Sequence, residues 1–413
     1  MSPEDPRTLR SLTSQVIAAG PALWSAGVER RATAIAQAMA TLRDAETPLG
    51  GRARAELPAS TGLSLPMIAW ALEHALGVFD REALIALDAA CAPPHAQCLR
   101  AHPGQLAVVV LAGNVFTAAA KAVALPLLFG WPVVAKAASR DDAFARLFES
   151  AFAGADPELS EAYRCVTVPS SDVERMGLLF EQADAVSVYG SDGTLNRIRA
   201  ELSATATFLP HGHGLSVAIV GPKALCNEDD ARAAARALAR DTAAYDQRGC
   251  LSPHVAWVVR GAEITPSRFA DLVFDELARL AQELPRGPLP LDVGSAQWSW
   301  RGLSAIHGTL LEGDGFAVAL ESHGNLRLSP GYRNLQLLEL DCEAELCAKL
   351  SPLGIHLKCV GHAGVDAKAL ARALPQNLAP RLCALGSMQT PKLTSITDGL
   401  APWDGLVRWV DLE

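Results

Sequence analysis

The sequence predicts an α/β protein, and three observations carry that prediction. Short, mainly apolar runs recur along the chain: LAVVVL at 106–111, WPVVAK at 131–136 and LSVAIV at 215–220. Stretches with apolar residues at helical spacing separate them. The runs at 106–111 and 185–188 end in glycine-bearing polar loops, Gly113-Asn114 and Gly190-Ser191. A strand apolar on every residue is buried on both faces, which requires helices above and below a mostly parallel sheet.

Taken in order, the first hundred residues read as helices, with helical spacing over 28–43 and 66–79. The turn-rich Cys91-Ala-Pro-Pro-His95 ends this region. Strand 106–111, helix 117–128, strand 131–136, helix 141–152, strand 164–169, helix 171–182, strand 185–188 and helix 194–202 follow. Strand 215–220 and a long Ala/Arg helix over 231–245 lead to Cys250. Beyond it lie strand 254–259, helix 266–283, a Pro/Gly break at 284–290, and core strands at 335–340 and 355–360 flanking a helix at 343–350. The pattern places a boundary near Arg240, giving 1–240 as helices plus a cofactor domain, 241–393 as a catalytic domain, and 394–413 as a tail. The tail carries two tryptophans and reads as a strand returning to the first domain or pairing with another subunit.

A length of 413 residues, half of them hydrophobic, supports a large core and two or three domains. The formal charge of −9, with no basic run, argues against nucleic acid as the main partner. Nine cysteines without framework spacing fit a reducing, cytoplasmic compartment. No Cys-x-x-Cys occurs, and His211-x-His213 lacks a completing carboxylate motif, so no metal site is expected. The apolar stretch 106–134 is interrupted by Gly113-Asn114, Lys121, Pro126, Gly130 and Pro132, which suits a strand–loop–helix–strand unit better than a bilayer span.

Cys250 stands in Asp246-Gln247-Arg248-Gly249-Cys250-Leu251-Ser252-Pro253, between a long helix and a buried strand. A thiol presented on such a loop is a candidate nucleophile; the alternative is a buried packing cysteine. Gly113-Asn114 after the first apolar strand, Lys136 closing the second, Gly190-Ser191 after a later one and Cys250 after a long helix occur in that order. This order resembles the aldehyde dehydrogenase superfamily. The Asp-Gln-x-x-Cys-x-Ser-Pro string and the Trp403-Asp404-Gly405 tail resemble its acyl-CoA reductase branch, the LuxC-like fatty-acyl reductases.

The resemblance implies a Rossmann-type cofactor domain beside an α/β catalytic domain. It implies Cys250 as the acyl-accepting nucleophile, and Asn114 with the Cys250 N–H as oxyanion donors, each worth about 2.7–4 kcal/mol. It also implies Lys136 against the adenosine ribose and Gly190 and Ser191 beside the pyrophosphate. No G-x-G-x-x-G follows a strand here, but the resembled superfamily binds its cofactor without that string. Two departures stand out. His211 occupies the place of the glutamate base of hydrolytic relatives, which makes thioester hydrolysis less favoured. Leu328-Ser329-Pro330-Gly331 stands where a Glu-x-Phe-Gly-Pro string is usual, without its carboxylate.

Lys136 is followed by Ala137-Ala138-Ser139-Arg140, where NAD-preferring relatives carry an acidic residue. A neutral or basic neighbourhood at Ser139 and Arg140 suits a 2′-phosphate and favours NADPH, with NADH as the alternative. The expected reaction is NADPH-dependent reduction of an acyl thioester, acyl-CoA or acyl-carrier protein, to an aldehyde. The alternatives are aldehyde oxidation at the same site in reverse, or an inactive relative serving as a partner-binding subunit. The resemblance further implies a homo-oligomer.

Overall fold

The computed structural model describes residues 6–113, 115–138, 141–322 and 324–413. Helices Gly27–Arg43, Pro48–Thr61, Leu65–Leu76 and Arg81–Ala90 build the start of the chain. Their first turns are set by local chemistry. Thr47, Ser64 and Asp80 each accept a hydrogen bond from a backbone N–H three residues on, and Pro48 and Pro66 sit where no N–H is needed. Gly62, at φ 71°, ends the second of these helices in the left-handed region that a side chain resists.

Among the described residues the strands are β1 (Cys98–Arg100), β2 (Ala107–Val110), β3 (Val133–Ala137), β4 (Tyr163–Thr167), β5 (Ala185–Tyr189), β6 (Thr207–His211), β7 (Leu215–Val220), β8 (Pro253–Val259), β9 (Thr309–Gly313), β10 (Phe316–Glu321), β11 (Asn334–Leu340), β12 (Leu357–Ala363), β13 (Arg381–Ala384) and β14 (Trp409–Asp411). They make three sheets. The first has the order β4-β3-β2-β5-β6 and is parallel throughout. Along β2 the side chains alternate between two cores. Ala107 and Val109 join the helices 27–43, 65–76 and 118–128, while Val108 and Val110 join Leu9, Val16, Leu179 and Ile198 on the other face. That two-sided burial is what the apolar run at 106–111 predicts.

The second sheet has the order β13-β12-β7-β8-β11-β10-β9, parallel except for β9 against β10. One face packs on helices Glu228–Ala243 and Pro266–Glu283. The third sheet is a small antiparallel ribbon in which β1 pairs with β14. The Trp131 indole donates to Leu406 O at 2.7 Å and fastens the same tail to the first half.

The chain passes from the first sheet to the second between His211 and Leu215. β7 lies between β12 and β8, and helix Glu228–Ala243 buries Ala231, Ala235, Leu238 and Ala239 in the second core. Helix Leu291–His307 and the β9–β10 hairpin stand where the sequence offers only mixed elements. No helix among the described residues is long and apolar enough to cross a membrane.

Candidate active site

In the first sheet the chain runs outward from β2 through β3 to β4, then returns to the other side of β2 with β5 and β6. The direction of winding therefore reverses between β2 and β5. In open parallel sheets, ligands bind in the crevice beyond the strand ends at such a reversal. The loop beginning at Gly113 follows β2, and Gly190-Ser191 follows β5, so both flank that crevice.

Ser191 caps helix Asp192–Glu201, its hydroxyl accepting from Thr194 N at 3.3 Å. The free N–H groups and dipole of this helix start favour an anion. Lys136, at the end of β3, is buried and its Nζ donates to Ser170 Oγ at 3.0 Å. Burial lowers the Lys136 pKa, and the positive charge of Arg197 lowers it further. A phosphate or ribose entering here would meet a buried ammonium, a hydroxyl and a helix start. These residues fit a nicotinamide dinucleotide. Ser139 and Arg140, predicted beside it, lie outside the described residues, as does Asn114.

Cys250 is held by an over-determined loop. Tyr245, Asp246 and Gln247 occupy the left-handed region in succession, at φ 53°, 53° and 59°. Each such non-glycine residue costs on the order of 1–2 kcal/mol, so the surroundings must impose the conformation. They do so through side chains. Asp246 is fully buried against Arg333, which donates Nη2 at 2.7 Å and Nε at 3.0 Å to Oδ1, while Gly287 N donates to Oδ2 at 3.0 Å. Gln247 takes the place of a peptide unit between strands. Its Nε2 donates to Pro253 O and Asn334 O, and its Oε1 accepts from Asn334 N at 2.8 Å. Arg248 Nη1 donates to Thr61 O at 2.7 Å, tying the loop to the N-terminal helices.

From there Gly249 passes close to Val115, whose Cγ2 would stand 3.4 Å from an added Cβ. The Cys250 turn therefore meets the chain immediately after Asn114. Ser216 Oγ donates to Cys250 O at 2.7 Å and fixes the other side. The Cys250 side chain has solvent-accessible surface yet is surrounded closely enough that desolvation dominates its electrostatics. Desolvation pushes the thiol up, Lys358 pulls it down, Asp398 raises it, and the residue's own N–H and Arg381 lower it.

His211 ends β6 and stacks on Tyr189, with ring centroids 4.2 Å apart and 15° between planes. Burial lowers its pKa to about 4, with Lys358 and Lys121 adding to the effect against Asp398. At neutral pH this ring is uncharged. The string His211-Gly-His-Gly214 also has a packing reason, since an added Cβ on Gly214 would come within 2.2 Å of the Lys358 stem. Lys358 Nζ pairs with Asp398 at 2.7 Å.

The sequence reading missed Lys358, Asp398, Lys121 and Arg381, which together shape the field around Cys250 and His211. A lysine interrupting the apolar run at 355–360 was the available signal. The string at Ser329 behaves as predicted in lacking a carboxylate. Ser329 Oγ accepts from Gly331 N, and the carboxylates Asp246 and Glu321 are already held by Arg333 and Arg327.

The chain was compared with known proteins. Among solved structures it is similar to the aldehyde dehydrogenase KauB from Pseudomonas aeruginosa, with TM-score 0.77 and 14% identity over 99% of this chain and 90% of that one. It is also similar to aldehyde dehydrogenase 21 from Physcomitrella patens, solved with the reaction product succinate, with TM-score 0.75 and 14% identity over 98% and 90%. The glyceraldehyde-3-phosphate dehydrogenase GapN from Methanocaldococcus jannaschii, complexed with NADP, gives TM-score 0.73 and 13% identity over 99% and 94%. At these identities the likeness shows the fold, which is that of the aldehyde dehydrogenases. No curated protein matches the chain. The family model described as acyl-CoA reductase (LuxC) matches residues 35–409, and the chain belongs to that acyl-CoA reductase family of oxidoreductases acting on acyl or aldehyde groups.

Proposed function

We propose that this protein reduces an acyl thioester, acyl-CoA or acyl-carrier protein, to an aldehyde, using NADPH and a covalent acyl group on Cys250. The observation that carries the reading is an exposed thiol on a rigidly held turn that packs against Val115, next to Asn114 in the chain. The Cys250 sulfur attacks the thioester carbonyl carbon. The carbon–sulfur bond to the incoming carrier breaks, and the carrier leaves as a thiol after taking a proton. His211 stands where hydrolytic relatives carry their glutamate base, which supports an acyl group that persists until hydride arrives.

Burial holds the thiol protonated at neutral pH, and Lys358 is the group that favours its thiolate most. Asn114 and the Cys250 N–H are proposed to hold the oxyanion, because Val115 stands against Gly249. A nicotinamide cofactor supplies hydride chemistry when bound, and Lys136, Gly190 and Ser191 are the residues proposed to hold it. Ser139 and Arg140 in the sequence, together with the Arg197 charge felt by Lys136, support a 2′-phosphate and hence NADPH. The NADP complex of the archaeal neighbour supports the same class. Aldehyde oxidation is the same site run in reverse.

Cys250→Ala should abolish acyl-CoA-dependent NADPH oxidation while leaving NADPH binding intact. Retained turnover would sink the covalent route, and equal turnover with NADH would sink the cofactor preference.

A further inference from the structure

We propose that the β1–β14 ribbon carries a binding site for a zinc-like divalent metal, held by His95, Cys98 and Asp411 and separate from the residues around Cys250. The sequence reading found no metal site, because the third ligand lies at the far end of the chain from the other two.

The backbone brings the three together in two steps. Cys98 N donates to His95 O at 3.1 Å, so the turn His95-Ala96-Gln97-Cys98 sets the first and fourth side chains beside each other. Asp411 is the antiparallel partner of Cys98. Leu412 N donates to Gln97 O and Ala101 N to Arg408 O, which makes Cys98 and Asp411 a pair without backbone bonds between them. Such pairs are the closer kind, with Cα atoms about 4.5 Å apart and side chains on one face.

His95 Nε2 lies 3.3 Å from Cys98 Sγ and 3.2 Å from Asp411 Oδ1, and the three ligand atoms all lie within 4.8 Å of one another. Tetrahedral zinc holds sulfur at about 2.3 Å, imidazole nitrogen at about 2.0 Å and carboxylate oxygen at about 2.1 Å, which separates the ligand atoms by roughly 3.3–3.8 Å. The imidazole nitrogen therefore stands close to the required spacing from both the sulfur and the oxygen.

The same imidazole nitrogen faces both the sulfur and the carboxylate. One N–H cannot point at two acceptors in line, whereas a cation among them satisfies all three. This also separates the cluster from a nucleophile–base–acid relay, which uses the two ring nitrogens separately. A nitrogen, sulfur and oxygen donor set selects zinc over magnesium or calcium. Cys98 is buried while His95 and Asp411 are exposed, which leaves a solvent side for a fourth, water ligand. Bound there, the ion clips the C-terminal strand to the turn before β1.

The test uses the full chain with Cys250→Ala, which removes the proposed catalytic thiol as a competing ligand. After stripping with a chelator, zinc is titrated in competition with a chromophoric chelator. Uptake of one tightly held zinc per chain is expected, with a raised melting temperature. Added Cys98→Ser or His95→Ala should abolish that uptake, and His95, being exposed, can be replaced without disturbing the core. Cobalt should give a thiolate charge-transfer band that Cys98→Ser lacks. Cys342→Ser, at an exposed cysteine outside the cluster, should change nothing. Absence of tight zinc uptake by the folded chain, or uptake unchanged in both Cys98→Ser and His95→Ala, overturns the proposal.

Discussion

The loop that presents Cys250 and the crevice beside Lys136 and Ser191 are built on opposite principles. The loop adopts a costly backbone, three left-handed residues in a row, and buried side chains from β11 and its approach hold it there. The crevice uses ordinary strand ends and one helix start, with Lys136 bonded to Ser170 as its buried anchor. The proposed nucleophile would need placement to a fraction of an ångström, which many bonds supply. The proposed cofactor would enter and leave, and is met by backbone and a few polar groups. Mutations on the two sides should therefore fail differently, the first through folding and the second through affinity.

Arg333→Met should have the largest effect. It leaves Asp246 charged and buried without its partner, a loss of about 3–5 kcal/mol, read as a fall in melting temperature along with lost activity. Lys136→Ala should leave the melting temperature nearly unchanged and raise KM for NADPH by about tenfold or more, as expected for one lost charge-assisted hydrogen bond. If both variants lose stability equally, the comparison between the two regions fails.

A third prediction concerns pH. His211 has a folded pKa of about 4 against an ordinary 6.5. As pH falls from 6.5 towards 4, the unfolded chain takes up that proton first, so the folded state loses stability across the window. In denaturant titrations His211→Gln should flatten that part of the acid sensitivity; an unchanged slope would contradict a buried neutral ring. Ser191→Ala should have the smallest effect, about 1 kcal/mol of helix-cap stability and a modest rise in cofactor KM.

The parallel strands were legible because double-sided burial leaves a mostly apolar run, unbroken in β2 and interrupted only by Ser216 in β7. The division between halves was not. An Ala/Arg helix such as Glu228–Ala243 carries no mark of which sheet it will cover. Helix Leu291–His307 was hidden because Gly294, Gly302 and several serines weaken its pattern, and Trp298 and Ile306 point to solvent. The β9–β10 hairpin did carry a signal, Asp314-Gly315, with the glycine at φ 82°. Within the candidate site, Cys250, Lys136 and Gly190-Ser191 are proposed from their order along the chain. Lys358 and Asp398 were missed because only the folded β12 and its neighbouring turn bring them together.

The most direct test is intact-mass analysis of the full chain mixed with an acyl-CoA in the absence of cofactor. The account predicts a single acyl adduct, mapped to the peptide carrying Cys250, stable in water, and discharged as aldehyde when NADPH is added. An adduct absent from the wild-type chain, one that survives Cys250→Ala, or one that water removes before NADPH arrives would contradict it.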